Sequence, residues 1–155
     1  MTFTGTSRQR GTKMKRAMFI GAIGCGKTTL LQRLKDLTIH YDKTQAVEFY
    51  QNIVDTPGEY IEHRRMYTNL ATTAMDVDVV LMLQSATDQR LIFPEALSTM
   101  FARPVVGVVT KTDVADQAAI DWSSDQLKRA GAHQIFKVSA LTGAHTEALR
   151  QFLDD

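Results

Sequence analysis

The stretch "GAIGCGKTTL", Gly21 to Leu30, decides how the rest of the chain is read. Gly21-Ala22-Ile23-Gly24-Cys25-Gly26-Lys27-Thr28 fills the pattern G-x-x-x-x-G-K-[ST] without a mismatch. An apolar run, "AMFIG" (17–21), leads into it as a buried strand would. After it, Leu30, Leu31, Leu34 and Leu37 mark one face of a helix. Between strand and helix, Gly21, Gly24 and Gly26 allow the backbone to turn and approach a ligand closely. Successive backbone N–H groups of this loop converge on phosphate oxygens, and the helix N-terminus adds positive potential there. Lys27 is expected to reach the β/γ-phosphates of a nucleotide, and the Thr28 hydroxyl to ligate Mg²⁺. Thr29 reads as the first ordinary helical residue at the same junction. Cys25 reads as a backbone donor, although a thiol at a helix N-terminus can have a lowered pKa.

Working outward, near-continuous apolar runs recur at "DVVLML" (78–83), "PVVGVV" (104–109) and "QIFKV" (134–138). Strands covered on both faces read this way. Helix-compatible segments lie between and after them: Tyr60–Thr73 with Ile61, Met66, Tyr67 and Leu70, then Gln117–Ala130 and Thr146–Leu153. Gly131 sits where a C-terminal cap glycine would. Strands alternating with helices predict an α/β fold, a P-loop NTPase with a mostly parallel central sheet and helices on both faces.

Three further stretches bear on which nucleotide is read. "IVDTPGEY" puts Asp55 at a strand end, where an acid can hold Mg²⁺ through water, and Gly58 where its N–H can sense a γ-phosphate. "VVTKTD" puts Thr110, Lys111 and Asp113 at the end of the most apolar strand. The Asp113 carboxylate can accept from both the N1–H and the exocyclic amine of guanine, whereas adenine would leave it unpaired. Lys111 can lay its aliphatic stem over the base plane. "VSAL" puts Ser139 and Ala140 after the next strand, where a backbone N–H can bond the guanine O6. Each of the last three motifs is weak alone. In this order, behind a complete phosphate loop, they predict a site for GTP or GDP with Mg²⁺.

Composition bounds the class. The chain has 155 residues with 44% apolar and 23% charged residues, ordinary values for one globular domain. A net charge of +1 gives no electrostatic reason to expect nucleic acid or a polybasic membrane anchor as partner. No apolar run approaches a transmembrane helix, and a single cysteine fits a reducing compartment, so a cytoplasmic location is expected. Residues 1–13, "MTFTGTSRQRGTK", are polar and lack the apolar core of a secretory signal. They read either as a disordered tail ahead of a single domain at 14–155 or as a short docking peptide.

The set GxxxxGKT, DTPG, TKxD and SA resembles that of the small P-loop GTPases. More closely, "KTQAVEF", "DTPGEYIEHRRMY" and "ATDQRLIFP" resemble the EutP/PduV proteins of ethanolamine and propanediol utilisation operons. The resemblance runs from Met14 to the C-terminus. It implies a fold like the Era/TrmE-like branch of GTPases and an association with bacterial microcompartments, with a shell protein or pathway enzyme as partner. It also implies acetate kinase activity as an alternative, since some members are credited with it. Thr44 in "KTQAVEF" matches the switch threonine, which would bind Mg²⁺ and report the γ-phosphate. Lys43, Gln45 and Glu48 match the motif without an assigned role. The short distance from Thr44 to Asp55 predicts a shortened switch I region, either a reduced hairpin or a segment feeding almost directly into the central strand.

Two departures bear on mechanism. Glu59 stands where many GTPases place a water-orienting glutamine, so intrinsic hydrolysis is expected to be slow, with Lys27, Thr44, Gly58 and Glu59 as the catalytic candidates. Gly24 replaces the asparagine of potassium-activated relatives, so no second cation is expected. Arg64 and Arg65 read either as a solvated helix face or as groups that meet an effector. Two readings stay open: a GTP-dependent switch or assembly factor, monomeric or weakly dimeric, and a phosphotransferase that moves a γ-phosphoryl to acetate.

Overall fold

The computed structural model describes residues 14–41 and 51–154. The segment 1–13, Thr44 with Lys43, Gln45 and Glu48, and the expected shortened switch I lie outside the described residues. In chain order the elements are β1 (Ala17–Gly21), α1 (Lys27–Tyr41), β2 (Ile53–Asp55), α2 (Glu59–Glu62), α3 (Tyr67–Ala74), β3 (Val79–Ser85), β4 (Val105–Thr110), α4 (Gln117–Arg129), β5 (Ile135–Lys137) and α5 (Thr146–Asp154). Short 3-10 turns cover Arg64–Met66, Leu97–Met100 and Thr112–Val114. Among the described residues the five strands form one sheet in the order β2-β1-β3-β4-β5, every pair parallel.

The strand runs are apolar throughout because both faces of the sheet are covered. Alternate residues of β1 point opposite ways. Met18 and Ile20 join Val80, Met82, Leu70, Leu127 and Phe93 on one side. Ala17 and Phe19 join Leu81, Val108, Leu30, Leu34 and Leu149 on the other. Thus α1 and α5 cover one face and α3 and α4 the other. The leucine stripe of α1 does what its spacing predicts, with Leu30 and Leu34 fully buried.

The segment 60–73 departs from the single helix its composition predicts. It is broken at His63, whose backbone is extended (φ −127°, ψ 117°). The reason is phase. At about 100° per residue, Ile61 and Leu70 would lie on opposite faces of one straight helix. Both are buried, at 2% and 0% exposure, in the same cluster. Breaking the helix turns both side chains to one core. Gly131 closes α4 with φ +110°, as its position predicts, and the 3-10 turn at 97–100 packs beside it, Ser98 against the space a Cβ would fill.

β4 carries the "TKTD" end of the site, and Gly107 in its middle sets how closely α4 approaches. A Cβ there would stand 2.7 Å from Ile135 Cδ1 and 3.0 Å from Leu127 Cβ. Gly107→Val is therefore expected to lower unfolding stability by about 1–3 kcal/mol through overpacking. Denaturant titration checks this; an unchanged midpoint at an unchanged slope would show that α4 has room to move.

Candidate functional site

The chain leaves β1 toward β2 on one side of the sheet and returns to β3 on the other. Ligands of open α/β sheets bind at such a reversal, outside the carboxyl ends of the strands. The glycine loop begins there. Gly24 and Gly26 take φ +84° and +94°, values that L side chains rarely adopt. α1 starts at Lys27 with no acidic residue in its first turn, so nothing on the helix offsets the positive end of its dipole.

Two cavities meet at this loop. The larger, about 530 Å³, is lined by residues 22–29 of the loop, by Asp55, Thr56, Pro57 and Gly58, and by Lys111. The smaller, about 200 Å³, is lined by Gly26, Thr29, Thr110, Lys111, Asp113, Val114, Ala140 and Leu141. They share Gly26, Thr29 and Lys111, so they form one continuous cleft. Three of the five exposed large hydrophobic side chains among the described residues, Ile23, Val114 and Leu141, line it. Most of the sequence-predicted residues thus come together. Gly21 does not line the cleft: it is buried in β1, where a Cβ would collide with Cys25 Sγ. Glu59 opens α2, exposed and off the cleft lining. Thr44 lies outside the described residues.

In the large cavity one of the two lysines is paired with an acid. Lys27 Nζ stands 2.8 Å from Asp55 Oδ1 and also donates to the Thr56 carbonyl. The hydroxyl of Thr28 and the carboxylate of Asp55 face the same space. Two hard oxygen donors with room for phosphate oxygens and water match the way Mg²⁺ is bound, through one or two protein ligands rather than an all-protein cage. No cluster of three or more His, Cys, Asp or Glu that could hold a metal ion exists among the described residues.

In the small cavity, Asp113 Oδ1 accepts from Ser139 Oγ at 2.8 Å, which fixes the carboxylate. The Ser139 N–H is already spent on the Ala144 carbonyl at 3.1 Å. Of the two residues predicted to read O6, only Ala140 keeps its N–H without a partner among the described residues. Lys111 adopts a left-handed backbone (φ 60°), a strained choice for a side-chain-bearing residue. That turn carries its Nζ to the Gly24 carbonyl at 2.8 Å.

Several residues of the site leave little trace in the sequence. Thr56 Oγ1 donates to the Phe19 carbonyl at 2.8 Å and fastens the DTPG loop to β1. Gly58 sits so close to the glycine loop that a Cβ would stand 2.7 Å from Ile23 Cγ1. The Ile23 N–H donates to Glu62 Oε2 at 2.8 Å, so Glu62 rather than Glu59 is the carboxylate that touches the loop. Glu62 also lies 3.6 Å from Arg90, which chelates Asp88 and holds that carboxyl below its usual range.

The match to known sequences is specific. Residues 14–155 match the family model described as ethanolamine utilisation – propanediol utilisation. The chain belongs to the PduV–EutP family. The propanediol utilization protein PduV of Citrobacter freundii is 37% identical over 141 residues, 91% of this chain and 94% of that protein. A Salmonella typhimurium relative named probable acetate kinase EutP is 37% identical over 143 residues, 91% of this chain and 88% of that one. Among solved structures, translation elongation factor SelB of Methanococcus maripaludis, bound to a GTP analogue, is similar with a TM-score of 0.60 and 22% identity. That likeness covers 90% of this chain and only 33% of SelB. The GDP-bound Roco2 of Methanosarcina barkeri gives 0.53 at 18% identity, covering 88% of this chain and 47% of that one. These similarities show that this PduV–EutP chain has the α/β P-loop NTPase fold. No helix among its described residues is long and apolar enough to cross a membrane.

Cys25 departs from the lowered pKa that a helix N-terminus can give. Its side chain points into the core beside Leu30 and Leu83. Desolvation pushes the thiol up from its ordinary value and outweighs the lowering by the Lys27 backbone and charge. The neutral thiol is therefore the form present at neutral pH. In the folded chain Cys25 is expected to react with a thiol reagent about tenfold or more slowly than in denaturant. Equal rates in a stopped-flow labelling experiment would show a reactive loop thiol instead.

Proposed function

We propose that the chain binds Mg²⁺ and a guanine nucleotide, hydrolyses GTP slowly, and serves as a switch or assembly factor in ethanolamine or propanediol utilisation. What carries this reading is the floor of the small cavity. A fixed carboxylate, Asp113, and a free donor, the Ala140 N–H, flank one apolar slot that opens onto the phosphate loop. Guanine offers the matching pattern: two donors for the carboxylate and one acceptor for the N–H. Adenine reverses that edge, with an acceptor at N1, no 2-amine, and a donor at position 6 where the Ala140 N–H needs an acceptor.

The residues take the following parts. Lys27 exchanges its contact with Asp55 for the β/γ-phosphates, and Asp55 is freed to face the ion. Thr28, Asp55 and Thr44 would hold Mg²⁺, which supplies neutralisation of charge on the phosphate oxygens. Gly58, packed on Ile23, would offer its N–H to the γ-phosphate. Water attacks the γ-phosphorus, the bond to the β–γ bridging oxygen breaks, and GDP and phosphate leave. Glu59, exposed at the start of α2, does not line the cleft where the attacking water would stand, which supports slow intrinsic turnover. Thr44 and the loop after Gly58 would order around the triphosphate and relax after hydrolysis, changing affinity for a shell protein or pathway enzyme. The setting is cytoplasmic, beside a microcompartment, with the chain monomeric or weakly dimeric.

A second reading, transfer of the γ-phosphoryl to acetate, is favoured by the similarity to the Salmonella protein named probable acetate kinase EutP. It needs a cationic pocket for a small carboxylate. Arg64 and Arg90 share a cavity of about 360 Å³ beside α2, but Arg90 is already paired with Asp88 and Glu62.

Two measurements separate these readings. Phosphate release is expected to be the same with and without acetate and faster with GTP than with ATP; acetate-dependent turnover that prefers ATP would sink the switch reading. Asp113→Asn is expected to weaken GDP binding about tenfold or more and to strengthen binding of xanthine diphosphate, because a carboxylate acceptor is replaced by an amide that can donate. Calorimetric titration with both nucleotides reads the exchange, and an unaltered preference means that Asp113 does not read the base.

A further inference from the structure

Arg33 projects from α1, half-buried, with its guanidinium against the loop that follows β5. Its Nε donates to the Ala140 carbonyl at 2.8 Å and its Nη2 to the Leu141 carbonyl at 2.9 Å. These bonds join residues 107 and 108 positions apart in the chain. A Cβ on Gly143 would stand 3.6 Å from Nη1, so the loop lies directly on the guanidinium. The other side of the loop is held through Ser139, whose hydroxyl donates to Asp113 and accepts from the Thr142 N–H. The Ala140 N–H, the free donor of the base cavity, is thus followed directly by two carbonyls that one side chain fixes, while the Ser139 carbonyl before it accepts from the Gly143 N–H at 2.8 Å.

We infer that Arg33 is a positioning residue for base recognition: it references the 139–142 loop to α1, the helix that begins at the phosphate cradle. The inference rests on the guanine reading above and deepens it. A planar fork with several N–H donors can hold two successive carbonyls at once, which a lysine ammonium on a flexible stem does not do with the same geometry. The loop has few apolar anchors, since Leu141 is 74% exposed. Without Arg33, both carbonyls lose a charged donor, and the backbone that carries the Ala140 N–H loses its tie to α1. The contact to the 6-oxo group should weaken, while Asp113, carried on the turn Thr112–Val114 after β4 and not on this loop, still reads the 2-amine.

The test compares GDP, 6-thio-GDP and inosine diphosphate by calorimetric titration on the full chain, for the wild type, Arg33→Ala and Arg33→Lys. The thio analogue alters only the 6-position, and inosine lacks only the 2-amine. Arg33→Ala is expected to shrink the preference for GDP over 6-thio-GDP by about tenfold while leaving the GDP-to-inosine ratio unchanged. Arg33→Lys should fall between the two. Should Arg33→Ala not fold, the Lys variant alone decides. Equal weakening of all three nucleotides means a merely structural role and overturns the inference, as does an intact GDP-to-6-thio-GDP ratio. A wild-type chain that binds ADP as tightly as GDP removes the guanine reading itself; a wild-type guanine preference that the Arg33 variants keep removes this inference alone.

Discussion

A loop that turns its N–H groups inward toward one point must turn its carbonyls outward, and those carbonyls need donors. The glycine loop meets this constraint with side chains from β4. Thr110 Oγ1 donates to the Cys25 carbonyl at 2.6 Å and Lys111 Nζ to the Gly24 carbonyl at 2.8 Å. The buried Cys25 carbonyl left open would cost about 1–3 kcal/mol. The residues that satisfy these two carbonyls sit at the strand end that also carries Asp113. Shaping the phosphate cradle therefore fixes the base cavity beside it, and the left-handed backbone of Lys111 is the local strain that the double duty entails.

The same logic extends around the cleft. Thr56 is held on the Phe19 carbonyl, Gly58 on the backbone of Ile23, and the Ile23 N–H on Glu62. Each ties a segment that would sense a phosphate to the glycine loop or to the strand that leads into it. The two hydrogen bonds can each be exchanged for another polar partner at small net cost, unlike the packing of Leu30 or Leu81 in the core. The rigid part of the molecule is the sheet with its two covered faces. The adjustable part is the layer of polar contacts at the carboxyl ends of the strands.

Much of this was legible in the sequence, for identifiable reasons. The strands declared themselves because both faces are buried, so β1, β3 and β4 read as unbroken apolar runs. The phosphate loop declared itself because positive φ at two positions demands glycine. The break at His63 stayed hidden because counting apolar residues between 60 and 73 ignores phase, and only the burial of both Ile61 and Leu70 in one cluster reveals it. Arg33, Thr56 and Glu62 left no signal. Each acts through a side chain bound to backbone far along the chain, and polar contacts of that kind have neither period nor motif. Cys25 was half legible: its place at a helix N-terminus was evident, its burial was not.

The two cavities are best understood as one binding surface with a shared wall. Gly26, Thr29 and Lys111 line both, and α1 connects them a second time through Arg33. A ligand that fills only the phosphate side leaves Val114 and Leu141 exposed. One that fills only the base side leaves the dipole of α1 and the loop N–H groups facing water. Occupying both covers apolar surface and pairs the donors in one event, through groups already held in place before binding. Preorganisation of that sort lowers the ordering cost of association.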